Sequence, residues 1–124
     1  MRIADTSFLY ALFSRYDQHH VMAVRDIQAR DPILIPAEIC SETLALIHYR
    51  QGFDTARAAG EWLRAQPHVE IGTGSPKMLQ EAWRAFTSAR GRLSYPDSVV
   101  VAWSRPKGAR PLAYDSRILA FARK

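Results

Sequence analysis

Four acidic residues are the side chains of this sequence best suited to do chemistry together. Asp5 and Asp115 each follow a short apolar stretch, one near the start of the sequence and one near its end. Asp97 lies in the first turn of one predicted helix, and Glu42 lies about one and a half turns into another. Each acid also has a purely local explanation: Asp5 and Asp115 can cap helices, Asp97 can complete a capping box, and Glu42 can face solvent.

Short apolar stretches alternate with helical patterns along the whole chain. Strands are predicted at residues 2–5, 33–35, 69–71 and 111–114. Helix starts are signalled at Thr6 or Ser7, at His19, after Pro36, at Asp54 or Thr55, at Ser75, at Ser94 and at Ser116. This alternation is typical of an α/β fold in which helices cover both faces of a mostly parallel sheet. A three-layer α/β/α sandwich forming a single domain, residues 1–124, is therefore predicted.

A parallel sheet would bring the four acids to one edge, because such sheets bind ligands at the carboxyl ends of their strands. Two carboxylates about 5 Å apart repel by about 3 kcal/mol at an effective dielectric of about 20. A fold that keeps four of them together needs a cation to offset this cost. An all-oxygen set of ligands favours Mg²⁺ or Mn²⁺.

The segments around these acids resemble the PIN-domain ribonucleases, in particular the VapC-type toxins of bacterial toxin–antitoxin pairs. The resemblance rests on four segments in chain order, residues 3–7, 36–42, 93–97 and 111–115. It implies that Asp5, Glu42 and Asp97 are the core acids and that Asp115 is a fourth, more variable one. The family often has Thr or Ser two residues before the fourth acid, where this chain has Ala113.

The resemblance implies a PIN-like fold and an endoribonuclease that hydrolyses RNA phosphodiester bonds with Mg²⁺ or Mn²⁺. In this chemistry the carboxylates hold the metal, and the metal activates water and neutralises charge on the phosphate. Glu38 competes with Glu42 for its role, since residues four apart share a helix face. The residues expected to support the acids are Thr6, Ser7, Glu38 and Ser116.

The charge of the chain favours a polyanionic partner. It has 17 basic and 12 acidic residues, a formal charge of +5 and a pI near 9.8. Arginine dominates the basic residues, and its guanidinium binds phosphate with two hydrogen bonds and stacks on bases. The candidates for RNA contacts are Arg15, Arg50, Arg90 and Arg92, with a solvated surface as the alternative for each.

The resemblance to toxins also implies protein partners. A VapB-like antitoxin would place its C-terminal segment over the active site, and a homodimer is the usual state of the family. Apolar residues of the first two helices are candidates for the antitoxin groove, although each of them also suits the core: Phe8, Leu12, Phe13, Val21 and Val24.

Two other functional classes stay open. One is a catalytically silent, PIN-like RNA-binding module, and the other is an acid-pocket phosphohydrolase or receiver-like domain. A haloacid-dehalogenase-like enzyme needs Asp-x-Asp after its first strand, whereas Thr6 and Ser7 follow Asp5 here. The longest apolar stretch, residues 99–103, is too short to cross a membrane. With the single cysteine Cys40 predicted in a buried helical stretch, this favours a cytoplasmic protein with no membrane partner.

Overall fold

Four short strands and seven helices make up residues 1–123, the part of the chain that the computed structural model describes. The strands are β1 (Arg2–Ala4), β2 (Ile33–Pro36), β3 (Val69–Gly72) and β4 (Arg110–Leu112). The helices are α1 (Thr6–Phe13), α2 (His20–Gln28), α3 (Ala37–Gln51), α4 (Phe53–Ala65), α5 (Pro76–Ala89), α6 (Tyr95–Ser104) and α7 (Ser116–Ala122). The predicted order of strands and helices is confirmed.

The sheet has the order β3-β2-β1-β4, and every pair of neighbouring strands is parallel. The chain moves outward from β1 to β2 and β3 and then crosses to the other side of β1. Right-handed crossovers therefore place α1 to α4 on one face and α5 and α6 on the other. The direction of winding reverses at β1, between its neighbours β2 and β4. A ligand crevice is expected at the carboxyl ends of the strands at such a reversal.

The core lies on both faces of β1 and β2. Ile3 and Ile35 are fully buried in the sheet, and Phe8 of α1 is fully buried beside them. Helix α6 is apolar on nearly all sides, and its residues Val99–Val101 and Trp103 are at most 3% exposed. Burial on all sides of α6 fixes its direction, and with it the position of Asp97 in its first turn.

Several boundaries differ from the sequence prediction by one or two residues. Strand β1 ends at Ala4, so that Asp5 is the N-cap of α1, while the sequence also offered this role to Thr6 or Ser7. Strands β2 and β3 each run one residue further than predicted. Strand β4 begins at Arg110 and ends at Leu112, and beyond it the backbone N–H of Tyr114 donates to the Ser7 hydroxyl of α1. Helix α4 begins at Phe53 and not at Asp54 or Thr55. Gly52, with a φ of 93°, allows α4 to follow α3 directly, which removes the need for a capping side chain there.

A buried arginine ties the sheet to α2. Arg2 is 4% exposed, and its guanidinium donates hydrogen bonds to the carbonyl oxygens of Asp26, Ala29 and Asp31 at 2.7 to 2.9 Å. These carbonyls lie at the C-terminal end of α2, where a cation also offsets the helix dipole. Within residues 1–123, no helix is long and apolar enough to cross a membrane.

Candidate active site

Asp5 occupies the most buried position among the four predicted acids. It follows β1, is 2% exposed, and its Oδ2 accepts hydrogen bonds from the Ser7 hydroxyl at 2.7 Å and the Ser7 N–H at 3.2 Å. Its other oxygen, Oδ1, is buried and has no hydrogen-bond partner among the described residues. Burial, together with the charge of Asp97, raises the pKa of Asp5 to about 6. One carboxylate oxygen of Asp5 is therefore hydrogen-bonded to Ser7, and the other is available to a ligand.

Ser7 connects Asp5 to the far end of the sequence. Its hydroxyl accepts a hydrogen bond from the backbone N–H of Tyr114 at 3.3 Å while donating to Asp5. The N–H of Asp5 bonds to the carbonyl of Leu112 at 3.0 Å. Together these bonds hold the segment that carries Asp115 beside the end of β1. Ser7 thus contacts both Asp5 and the segment before Asp115.

Tyr114 anchors the same segment from its other side. Its hydroxyl donates to Asp26 Oδ2 at 3.0 Å, and its ring stacks on His19 with centroids 4.6 Å apart. Burial and the Asp26 carboxylate raise the pKa of Tyr114, so its hydroxyl remains a donor. The sequence analysis missed Tyr114, since no short-range pattern pairs it with Asp26.

Glu42 reaches the first turn of α1 through Thr6, whose hydroxyl donates to Glu42 Oε1. Since Thr6 directly follows Asp5 in the chain, this contact brings Glu42 close to Asp5. Glu38 lies one turn earlier on α3 and lines a separate cavity of about 240 Å³ with Ser75 and Trp103. The geometry thus favours Glu42 over Glu38.

Asp97 lies in the first turn of α6 and forms the predicted capping box. Its backbone N–H donates to Ser94 Oγ, and its Oδ2 accepts from the Ser94 N–H, both at 3.2 Å. Its charge contributes to the raised pKa of Asp5, so the two carboxylates face the same region. Asp97 is therefore both a cap and a neighbour of Asp5.

Asp115 is the N-cap of α7 and is paired with Arg117. The guanidinium of Arg117 donates to both carboxylate oxygens, Nε to Oδ1 at 3.1 Å and Nη2 to Oδ2 at 2.8 Å. Arg117 lowers the pKa of Asp115. Ala113 is buried and provides no hydroxyl, so Arg117 fixes the carboxylate instead. Ser116 is the exposed first residue of α7.

The four acids lie along one edge, which we call the acidic edge. Among residues 1–123, no three Asp, Glu, His or Cys side chains come close enough to hold one metal ion together. The predicted convergence into a ready cluster of four carboxylates is wrong in this respect. The physical reason is that like charges repel and each acid has its own donor. Those donors are Ser7, Thr6, Ser94 and Arg117.

The chemistry of the acidic edge nevertheless fits a hard divalent cation. Its side chains offer carboxylate oxygens, which Mg²⁺ and Mn²⁺ prefer. Asp5 Oδ1 is a buried polar atom to which no residue between 1 and 123 donates a hydrogen bond, and burying an unpaired carboxylate is costly. A cation beside Oδ1 would remove this cost and favour the ionised form of Asp5.

The four predicted RNA-binding arginines form two separate pairs. Arg15 and Arg50 line an open pocket of about 580 Å³ with Tyr10 and Tyr16. Arg50 lies 5.1 Å from the centroid of the Tyr10 ring and lowers the pKa of Tyr10. Both arginines are exposed, and the pocket combines cations with aromatic rings.

The second pair of arginines lies near the C-terminal end of α5. Arg90 adopts a left-handed conformation with a φ of 51° at the end of this helix. Arg92 lies over the Phe121 ring at 5.1 Å and donates to the Ala89 carbonyl. Arg90 is exposed, whereas the Arg92 side chain is held by these two local contacts.

An apolar groove runs between α1, α2 and α4, with a volume of about 460 Å³. Its lining includes Leu12, Phe13 and Val24, three of the candidates for the antitoxin groove, and also Trp62, whose ring meets Phe13 edge-on at 5.9 Å. The other two candidates lie elsewhere. Phe8 is fully buried in the core, which is the alternative that the sequence left open for it, and Val21 lies outside this cavity, with 64% of its surface exposed.

Comparison with known proteins places this architecture in a family. The chain superposes on VapC20 of Mycobacterium tuberculosis, described as a sarcin–ricin loop cleaving toxin, with a TM-score of 0.82 and 26% identity. This match covers 97% of the present chain and 94% of VapC20. It also superposes on the structure of VapBC2 from Rickettsia felis bound to a promoter DNA fragment, with a TM-score of 0.74 and 9% identity. That second match covers 97% and 92% of the two chains.

The fold is therefore that of VapC proteins. No curated protein sequence matches the chain. The PIN domain family matches residues 2–124, nearly the whole sequence. The chain thus belongs to the PIN domain family.

Proposed function

We propose that the protein is a metal-dependent endoribonuclease and the toxin of a toxin–antitoxin pair. The observation that carries the activity is Asp5, a buried carboxylate with one free oxygen at the end of the central strand. The charge of Asp97 acts on Asp5, and Glu42 accepts a hydrogen bond from Thr6, the residue after Asp5. The segment before Asp115 is hydrogen-bonded to Ser7, which also bonds to Asp5. The likeness to the toxin VapC20 supports the choice of RNA as substrate.

In this function Asp5, Glu42, Asp97 and Asp115 would hold Mg²⁺ or Mn²⁺. The bound ion supplies an activated water and neutralises charge on the phosphate. Ser7 fixes the orientation of Asp5 through the 2.7 Å hydrogen bond, and Thr6 orients Glu42. Ser94 holds Asp97 in the first turn of α6. No side chain of the acidic edge needs to act as the nucleophile.

The central test is RNA cleavage by the purified chain with Mg²⁺, Mn²⁺ or EDTA. We expect cleavage of a mixed RNA pool with either ion and none with EDTA. Asp97→Asn should reduce the rate by orders of magnitude, while Asp54→Asn, an exposed acid in the first turn of α4, should leave it unchanged. A hairpin carrying the sarcin–ricin loop belongs in the substrate panel because VapC20 cleaves that loop. Full activity in EDTA would exclude the proposed chemistry.

A second candidate function is an RNA-binding module without catalysis. The separation of the acids among residues 1–123 favours it, because no ready metal cluster exists there. It predicts RNA binding without cleavage in every buffer. The same cleavage experiment thus separates the two functions.

RNA binding should depend steeply on salt. The log of the affinity for single-stranded RNA is expected to fall with log salt by about 0.7 per neutralised phosphate. Arg15→Gln and Arg50→Gln should each lower this slope by up to about 0.7. Arg57→Gln serves as the control, because Arg57 lies on α4 and pairs with Glu61 at 3.4 Å. A slope near zero in the parent would show that the positive charge of the protein does not contribute to RNA binding.

The proposed partner is a VapB-like antitoxin whose apolar segment occupies the groove between α1, α2 and α4. The groove is lined mostly by apolar side chains, including the half-exposed Trp62. A homodimer is also proposed, and an exposed apolar strip on α5 is available for it. In that strip Leu79 is 58% exposed and Trp83 is 57% exposed.

A further inference from the structure

Arg117 is a charged residue at the acidic edge that the proposed mechanism does not use. It lies in the first turn of α7, and its guanidinium donates to both oxygens of Asp115. Its backbone N–H donates to Asp115 Oδ1 as well, at 2.8 Å. Each carboxylate oxygen of Asp115 thus already has a cationic donor.

The position of Arg117 relates it to a second acid. The Tyr114 N–H donates to the Ser7 hydroxyl, which donates to Asp5, so the segment that carries Asp115 and Arg117 lies beside the end of β1. The charges of Asp115 and, more weakly, Asp97 raise the pKa of Arg117. The buried Asp5 Oδ1 at the same edge has no hydrogen-bond partner within residues 1–123. The guanidinium therefore lies in the field of the carboxylates proposed to hold a divalent cation.

The ion pair between Arg117 and Asp115 is weak enough for another cation to replace the guanidinium. The side chains of Arg117 and Asp115 are 64% and 29% exposed, and exposed pairs of this kind are weak. Arg117 is held to Asp115 by contacts between residues two apart on the surface of the protein. A divalent cation at the acidic edge would compete directly for the same oxygens.

We propose that Arg117 is a built-in counterion that occupies Asp115 until a divalent cation takes this carboxylate, and that it then binds the scissile phosphodiester. The planar guanidinium matches phosphate as well as carboxylate, because both offer two oxygens to its parallel N–H groups. Release from Asp115 next to the metal leaves it beside the phosphate on which charge develops. This inference rests on the proposed ribonuclease function.

The first measurement is Mn²⁺ binding to the full chain by calorimetric titration in the absence of RNA. Arg117→Gln should bind Mn²⁺ about two- to fivefold more tightly than the parent, the range set by the strength of an exposed ion pair. Arg117→Lys keeps the charge and should stay close to the parent. Arg123→Gln, an exposed arginine at the end of α7, is the control for overall charge. An equal gain in Arg123→Gln, or no gain in Arg117→Gln, would overturn the proposal.

The second measurement is cleavage of the mixed RNA pool at saturating Mn²⁺. Arg117→Gln should be at least about tenfold slower although it binds metal more tightly, and Arg117→Lys should lie between it and the parent. Tighter metal binding with undiminished cleavage would refute the contact with phosphate. If the parent itself cleaves no RNA, the proposed function fails, while the Mn²⁺ titration still decides whether Arg117 competes with the metal.

Discussion

Asp5→Asn is expected to abolish RNA cleavage and at the same time to raise the melting temperature in EDTA. Asp5 ionises near its ordinary pKa of 3.8 in the unfolded chain and at about 6 in the folded protein. The folded protein therefore loses stability as the pH rises through this interval. Above pH 6 the loss reaches about 3 kcal/mol, since each pKa unit is worth 1.36 kcal/mol. Asparagine removes the charge and remains a good N-cap.

The measurement is a series of thermal melts of parent and variant in EDTA. At pH 7 the variant should melt up to about 10 °C higher, and the difference should shrink as the pH falls and approach zero below about pH 3, where the parent carboxyl is protonated in both states. Asp54→Asn is the matched control, because its exposed carboxylate should show no such rise. A variant that is less stable at pH 7, or that still cleaves RNA, would contradict the role assigned to Asp5.

Arg2→Met should cause the largest loss of stability. It removes the donors for the carbonyls of Asp26, Ala29 and Asp31 at the end of α2 and leaves them poorly satisfied. The expected cost is about 3 kcal/mol, or a fall in Tm of about 10 °C. The Tyr114 hydroxyl bonds to Asp26 of the same helix, so cleavage should fall as well.

The control for this substitution lies on the neighbouring strand. Arg110 pairs with Arg2 in the sheet register but is exposed. Arg110→Met should therefore change the melting temperature by no more than about 2 °C. Equal losses for the two variants would show that the hydrogen bonds of Arg2 to α2 contribute little.

The sequence predicts the strands and helices well where local chemistry decides them. Ser75 followed by Pro76 marks the start of α5, and the capping box of Ser94 and Asp97 marks that of α6, because caps need only neighbouring residues. The start of α4 was harder to predict. There the positive φ of Gly52 outweighs the capping preference of the acid and threonine that follow.

Most of the donors that bond to the four acids could be predicted from the sequence, but one could not. The order of the strands brings Asp5 and Asp115 to one edge, and alternation along the sequence is enough to predict this. Three of the four donors lie within three positions of their acids, as Arg117 does of Asp115, and such short patterns were visible in the sequence. The exception is Thr6, which bonds to Glu42 across 36 positions and meets it only because of the fold.

The parallel pairing of β1 with β4 also has a consequence for the order in which the protein is made. Ser7 and Tyr114 are 107 positions apart, yet their hydrogen bond connects Asp5 to the segment before Asp115. During synthesis, the edge of β1 that pairs with β4 stays unpaired until more than a hundred further residues have been made. Contacts this distant in sequence form slowly, because a long loop must close first. The ribosome therefore finishes helices α1 to α6 and strands β1, β2 and β3 before the residues that complete the acidic edge are made.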